Sequence, residues 1–155
     1  MERLEFSFSH LFSIRGRLAK PPEGIGPTPD GLRVNFYFEG GEVTGPRLQG
    51  KLRPVGSDRF LVRRDGVALI DVRATIESHD GALIIADHQG IVDLGPRGYE
   101  DSMERKLGPR ATARVAARYQ TAHPSYQWIN RLQCFGVLDI DREAFSLSYD
   151  IYALE

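Results

Sequence analysis

The sequence predicts an all-β, antiparallel fold on three observations: strict alternation of apolar and polar residues, Asp-Gly and Gly-Gly pairs between alternating segments, and only one stretch suited to a helix. Its 155 residues fit a single domain, 1–155. A domain of that size buries roughly 70% of the surface its unfolded chain exposes, enough for a core without disulfides.

Leu4, Phe6, Phe8, Phe12 and Ile14 share one face of the first segment, and Glu5, Ser7, Ser9, Ser13 and Arg15 the other, the pattern of a half-buried strand. His10 interrupts the apolar row and reads as a satisfied core histidine. The stretch from Pro21 to Gly31 is rich in Pro and Gly, and its prolines are expected to exclude regular helix or ladder pairing. Leu32 to Phe38 reads as a strand that turns at Gly40-Gly41 into Val43 to Arg53. Asp65-Gly66 and Asp80-Gly81 mark two further hairpins, because both dipeptides accept the positive φ of tight turns. Tyr99 to Leu107 is the expected helix, stopped by Gly108-Pro109. Ala113 to Thr121 follows as a strand, then a last hairpin of Leu132 to Ile140 and Phe145 to Ala153. Trp128 and Asn130 share the parity of that hairpin's apolar row. The sum is about eight or nine antiparallel strands, which suits a closed barrel or a sandwich.

If Asp65-Gly66 is a two-residue turn, Phe60 faces Asp71 and Asp58 faces Arg73; the same geometry at Asp80-Gly81 puts His88 opposite Arg73. Asp58, Asp71, Arg73 and His88 then converge on one face beside Phe60, Val62 and Leu69. A slip of one residue would scatter them. Two readings of the cluster stand open. In one, Asp71 or His88 is a general acid or base in a low-dielectric pocket and Arg73 stabilises an enolate-like or phenolate-like charge. In the other, Arg73 neutralises Asp58 and Asp71 in a structural ion network. The opposite face, Ala68, Ile70, Val72, Ala74 and Ile76, is more apolar. Either that face is the core and the charges lie in water, or both faces are covered, the outer one in a homodimer.

Gly26-Pro27-Thr28-Pro29-Asp30-Gly31, Gly45-Pro46-Arg47-Leu48-Gln49-Gly50, Asp65-Gly66-Val67, Asp71-Val72-Arg73, Asp80-Gly81-Ala82-Leu83-Ile84 and Tyr126-Gln127-Trp128-Ile129-Asn130 together resemble the bacterial and fungal family called domain of unknown function three-two-three-seven. The resemblance runs along nearly the whole chain. It implies a closed, calycin-like or lipocalin-like barrel with a pocket in its lumen, and it implies no agreed activity. The family's recurrent polar and aromatic positions map onto Arg33, Asp58, Asp71, Arg73, Trp128 and Asn130, with Tyr119 at a usual aromatic. Arg59-Phe60 stands where Trp is common, Ala117 where Pro is usual, and Ile85 where an aromatic is frequent. Those departures reshape the expected lumen. Arg33, Asp58, Phe60, Tyr119, Trp128 and Asn130 are accordingly the expected ligand-binding residues, with Asp71, Arg73 and His88 the candidate catalytic ones.

Other chemistries find less support. Lys and Arg number 20 against 21 Asp and Glu, a net charge of −1 that offers a polyanion no general attraction. The basic block from Arg105 to Arg131 carries Tyr119, Tyr126 and Trp128, a pattern that can hold single-stranded nucleic acid, but the acidic excess elsewhere disfavours it. One cysteine, Cys134, excludes an internal disulfide and points to a reducing, cytoplasmic setting. No apolar run suits a membrane span. His79 and His88 with Asp80 and Asp87 do not assemble three ligands locally, so no metal is expected. Gly24-Ile25-Gly26 lacks a βαβ unit and is followed by Pro27, so no nucleotide cofactor is expected either. A small-molecule binding barrel and a cofactor-independent isomerase, cyclase or hydratase remain the two readings of function, ahead of an interaction barrel.

Overall fold

The computed structural model describes Met1–Glu155. Ten strands form one antiparallel sheet: β1 (Phe8–Leu18), β2 (Glu23–Thr28), β3 (Gly31–Thr44), β4 (Gly50–Leu52), β5 (Ser57–Val62), β6 (Val67–Ser78), β7 (Leu83–Asp93), β8 (Arg110–Gln120), β9 (Cys134–Asp141) and β10 (Ser146–Leu154). β4 and β5 share the place between β3 and β6, and β1 pairs with both β10 and β3, so the sheet closes on itself as an eight-membered barrel. β2 lies outside the ring, on the edge of β3. The helix α1 (Gly98–Met103) is shorter than the sequence suggests. No helix is long and apolar enough to cross a membrane.

Alternation along each strand fills the barrel. Ala68, Ile70, Val72, Ala74 and Ile76 of β6 point inward, with Ile84 and Ala86 of β7, Val115 and Ala117 of β8, and Tyr149 and Ile151 of β10. The apolar face of β6 is therefore the core. The sequence's reason for placing a second copy against the barrel, an apolar face in need of cover, is met within the chain itself.

Four elements differ from their sequence expectation, each for a local reason. In β1 the pairing shifts between His10 and Phe12, a β-bulge that reverses the phase of the alternation. Leu11 and Phe12 are both buried, while Phe8 and His10 turn outward. His10 is thus exposed, hydrogen-bonded to the Ser13 hydroxyl at 3.0 Å. The proline-rich stretch does form a strand, β2, because an edge strand needs only one side of its backbone paired. β3 runs unbroken through Gly40-Gly41: its first half pairs with β2 and β5 and its second with β1 and β4. The third strand therefore bends where a turn was expected. Finally, Trp128 and Asn130 belong not to a strand but to a 3-10 segment, Pro124–Arg131.

The two ends of the barrel are unlike. One is stoppered by Leu48 from the β3–β4 connection and by Tyr126 and Ile129 of the 3-10 segment, all buried. Asp80 pins the stopper, accepting hydrogen bonds from the Tyr126 hydroxyl at 2.7 Å and the Ser78 hydroxyl at 2.5 Å. At the other end the inward residues Leu18, Leu32, Val34, Phe36, Phe60 and Ile140 are only partly buried. We assign the mouth to that end, the less covered of the two, with α1 packed beside β3 and β5 and with Val62 and Ala68 buried beneath.

Candidate functional site

The register of two hairpins decides which polar groups reach the lumen. The Arg63 N–H donates to the Val67 carbonyl and the Ser78 N–H to the Ala82 carbonyl, each at 2.9 Å, which leaves Arg64-Asp65-Gly66 and His79-Asp80-Gly81 as three-residue loops. Gly66 and Gly81 take φ of 91° and 90°, the left-handed residue that such loops require. Each pairing is one residue away from the two-residue geometry. Asp58 faces Val72, and Val72 faces His88.

The convergence of four polar residues expected from the sequence does not form. Asp58 and His88 stay on a common face because the two slips compensate between β5 and β7, and that face is the interior. Asp71 and Arg73 turn outward, where the Arg73 Nε lies 3.6 Å from Asp71 Oδ1 and 3.5 Å from Asp87 Oδ1. Asp87 and Arg118 also line two outer-face recesses of about 210 and 330 Å³. Arg33 points outward as well, 4.0 Å from Asp30. Asn130 fastens the 3-10 segment by accepting from the Thr121 N–H at 2.8 Å and donating to the Thr121 carbonyl at 2.9 Å. Trp128 packs on the core and carries the Arg47 guanidinium 3.8 Å from its ring centroid, at the stoppered end and away from the mouth. No three His, Cys, Asp or Glu side chains come together to hold a metal ion.

Three of the residues singled out in sequence, Asp58, Phe60 and Tyr119, do face the interior with His88. Phe60 meets Phe36 edge-on, with ring centroids 5.6 Å apart, and the two form an aromatic wall below the mouth. Asp58, opposite Phe36 on β3, lies one inward position deeper than Phe60. It accepts a hydrogen bond from the Asp71 backbone N–H at 2.9 Å and is joined by no cation. Burial, assisted by the neighbouring Asp71 charge, outweighs that hydrogen bond and pushes the Asp58 carboxyl up to about 7.

His88 is 2% exposed, and burial pushes it down to about 4, so the ring is neutral at neutral pH. Its Nε2 lies 2.8 Å from the Tyr119 hydroxyl. That hydroxyl has no other acceptor within the chain, so it donates to Nε2 and the ring proton sits on Nδ1. Nδ1 is buried and has no partner. Tyr149 packs edge-on against His88 at 5.2 Å between ring centroids, and burial together with the Asp58 charge pushes its phenol well above the ordinary range. The Tyr149 hydroxyl makes no hydrogen bond within the chain. Sequence reasoning did not assign a role to Phe36 or Tyr149, although alternation puts each in an inward row: Phe36 with Leu32 and Val34, Tyr149 with Leu147 and Ile151.

The family described as "Protein of unknown function (DUF3237)" matches residues 6–154. The chain belongs to this family. A UPF0311 protein of Rhodopseudomonas palustris is 28% identical over 123 residues, 77% of this chain and 79% of the relative. Among solved structures, a protein with unknown function from Clostridium acetobutylicum superposes with a TM-score of 0.87 at 24% identity, covering 97% of this chain and all of the other. A structure called an enzyme from Penicillium herquei superposes with a TM-score of 0.72 at 19% identity, covering 100% of this chain and 98% of the other. At these identities the structural likeness speaks for the fold alone.

Proposed function

We propose that this DUF3237 barrel binds one small, largely apolar molecule in its lumen, with an aromatic body against Phe36 and Phe60 and a hydrogen-bonding head toward Asp58, Tyr149 and His88. The observation that carries the reading is Asp58, a carboxyl facing the interior with no cation beside it. A structural carboxylate at such depth is normally neutralised by Arg or Lys, since an unpaired charge is costly to bury. Here the nearby arginine, Arg73, lies on the other side of the sheet. A polar group supplied by a ligand would satisfy Asp58 and the free Nδ1–H of His88 together. Pockets that pair apolar walls with a few convergent polar groups are the ordinary form of a small-molecule site. The Penicillium herquei neighbour is called an enzyme, which favours a second use of the same cavity, turnover of the bound molecule.

The test is an NMR titration with 2-naphthol, a neutral aromatic alcohol. Saturable shifts at Asp58, Phe60 and Val72 amides are expected, weakened at least about tenfold in Phe60→Ala, the loss of about 1.4 kcal/mol that a truncated aromatic wall implies. Shifts confined to the outer recesses beside Asp87 and Arg118, or no shifts at all, would overturn the reading.

A further inference from the structure

We infer that the lumen moves a proton on a carbon next to a ketone carbonyl, with Asp58 as the base and Tyr149 and His88 as hydrogen-bond donors to the oxygen. The inference rests on the lumen being the binding site. Its substrate class is a neutral aromatic ketone with an enolisable hydrogen, complementary to three inward groups: the Asp58 carboxyl, which has no cation beside it, and the Tyr149 O–H and His88 Nδ1–H, which have no acceptor within the chain.

Asp58 and His88 flank Val72 on adjoining strands, so their backbones stand about two strand spacings apart, roughly 9–10 Å. The inward Val72 side chain lies between them, so a ligand would rest against Val72 and reach both groups from the barrel axis. Tyr149 touches the His88 ring from β10, across the barrel, and lies close enough to Asp58 to feel its charge. The donors and the base are distinct in kind. Tyr149 and the Nδ1–H of His88 hold their protons tightly: burial pushes the phenol up, and no acceptor within the chain competes for either. Asp58 can give and take a proton at neutral pH, which is where a general base works best. Tyr119 is a positioning residue: by donating to Nε2 it holds the His88 proton on Nδ1, which is buried and has no partner within the chain.

In the forward step the Asp58 carboxylate takes the proton from the α-carbon. The C–H electron pair becomes the C=C bond, and the carbonyl π pair moves to oxygen, where the Tyr149 O–H and His88 Nδ1–H stabilise the enolate by hydrogen bonds. In the return step the Asp58 carboxylic acid delivers a proton to the same carbon, giving exchange, or to the conjugate position of an enone, giving isomerisation. Nothing is oxidised or reduced and no co-reactant is consumed.

The experiment uses the full chain with 2-tetralone in D2O, following loss of the C1 proton signal by NMR and, in the same sample, saturation transfer from protein to ketone. Exchange well above the buffer rate is expected, rising with pH through one ionisation near 7. Asp58→Asn should slow it about 100-fold or more with saturation transfer retained. Tyr149→Phe, which keeps the ring, should slow it about 100-fold and leave the pH midpoint in place. Saturation transfer with exchange at the buffer rate would overturn the proton-transfer inference and leave the binding barrel standing. Absence of saturation transfer would overturn the ketone class, and failure of the 2-naphthol titration as well would remove the lumen site. If Asp58→Asn fails to fold, an unchanged exchange rate in Tyr149→Phe overturns the inference by itself.

Discussion

Asp58 and His88 respond to pH in opposite senses, although burial is the leading cause in both. Asp58 titrates at about 7 in the folded chain against an ordinary 3.8, so between those values the folded chain holds a proton that the unfolded chain has released. Its contribution to stability is complete below 3.8 and is lost as pH rises through 7. His88 titrates at about 4 against an ordinary 6.5, so the unfolded chain takes up a proton that the folded chain refuses. Its contribution is complete above 6.5 and is lost as pH falls through 4. Between about 4 and 6.5 the two slopes oppose each other. Asp65, Asp80 and Asp141, held below the usual carboxylate range by hydrogen bonds, act at lower pH, and Glu23, lowered from 4.5 by hydrogen bonds from Asn35 and Tyr37, touches only the bottom of that window. Removing one partner therefore exposes the other. In Asp58→Asn, urea-unfolding stability should climb with pH across the window; in His88→Gln it should fall as pH rises toward 7, each by up to about 1.4 kcal/mol per pH unit. Parallel pH profiles in wild type and both variants would contradict the placement of these two groups in the interior.

At the level of elements, the hairpins were legible in sequence and their registers were not. Asp-Gly marks a turn whether the loop has two residues or three, because both geometries need a residue at positive φ. What separates them here lies outside the dipeptide: Gly66 sits against Gly95 and Gly98, so the β5–β6 loop is shaped by the chain that follows β7. A slip of one residue moved Asp71 and Arg73 from the expected cavity to the surface, yet Asp58 and His88 kept company because two equal slips compensated. Similarly, the alternation of Leu4 to Ile14 was real, but a bulge at Leu11 splits it into an outward and an inward half, and a bulge has no composition of its own. Trp128 was visible as a landmark and misplaced, since eight residues of 3-10 segment do not advertise a period. The two loop glycines make this contrast measurable. A Cβ at Gly66 would run into the Gly95 carbonyl, whereas one at Gly81 meets nothing within 4 Å. Gly81→Ala should cost about 1–2 kcal/mol, the strain of a left-handed alanine, and Gly66→Ala clearly more, read from paired thermal melts. Equal losses would mean that the β5–β6 loop is free of the segment that packs on it.

For the whole molecule, closure is what turns a sheet into a container, and closure rests on one seam. The β1–β3 ladder runs from Ser13 opposite Thr44 to Leu18 opposite Phe38, and at its centre Gly16 faces Gly41. A Cβ at Gly41 would strike the Arg15 carbonyl and come within 2.9 Å of the Gly16 Cα, both backbone atoms that cannot swing aside. The seam is thus drawn together by the absence of a side chain. Without it, β1 and β3 would each become an open edge, and Phe12, Ile14 and Val43 would lose their cover. β2 supplies the control, because it sits outside the ring and a Cβ at Gly24 meets nothing within 4 Å. Gly41→Ala should cost about 2–3 kcal/mol through overpacking, while Gly24→Ala should stay within about 0.5 kcal/mol of wild type. Hydrogen exchange locates the damage: in Gly41→Ala the added exposure should fall on the amides of Ser13 to Leu18 and Phe38 to Thr44 and spare the β6–β7 ladder. Equal stability of the two variants, or uniform exposure across the sheet, would show that the barrel does not depend on this seam for its closed form.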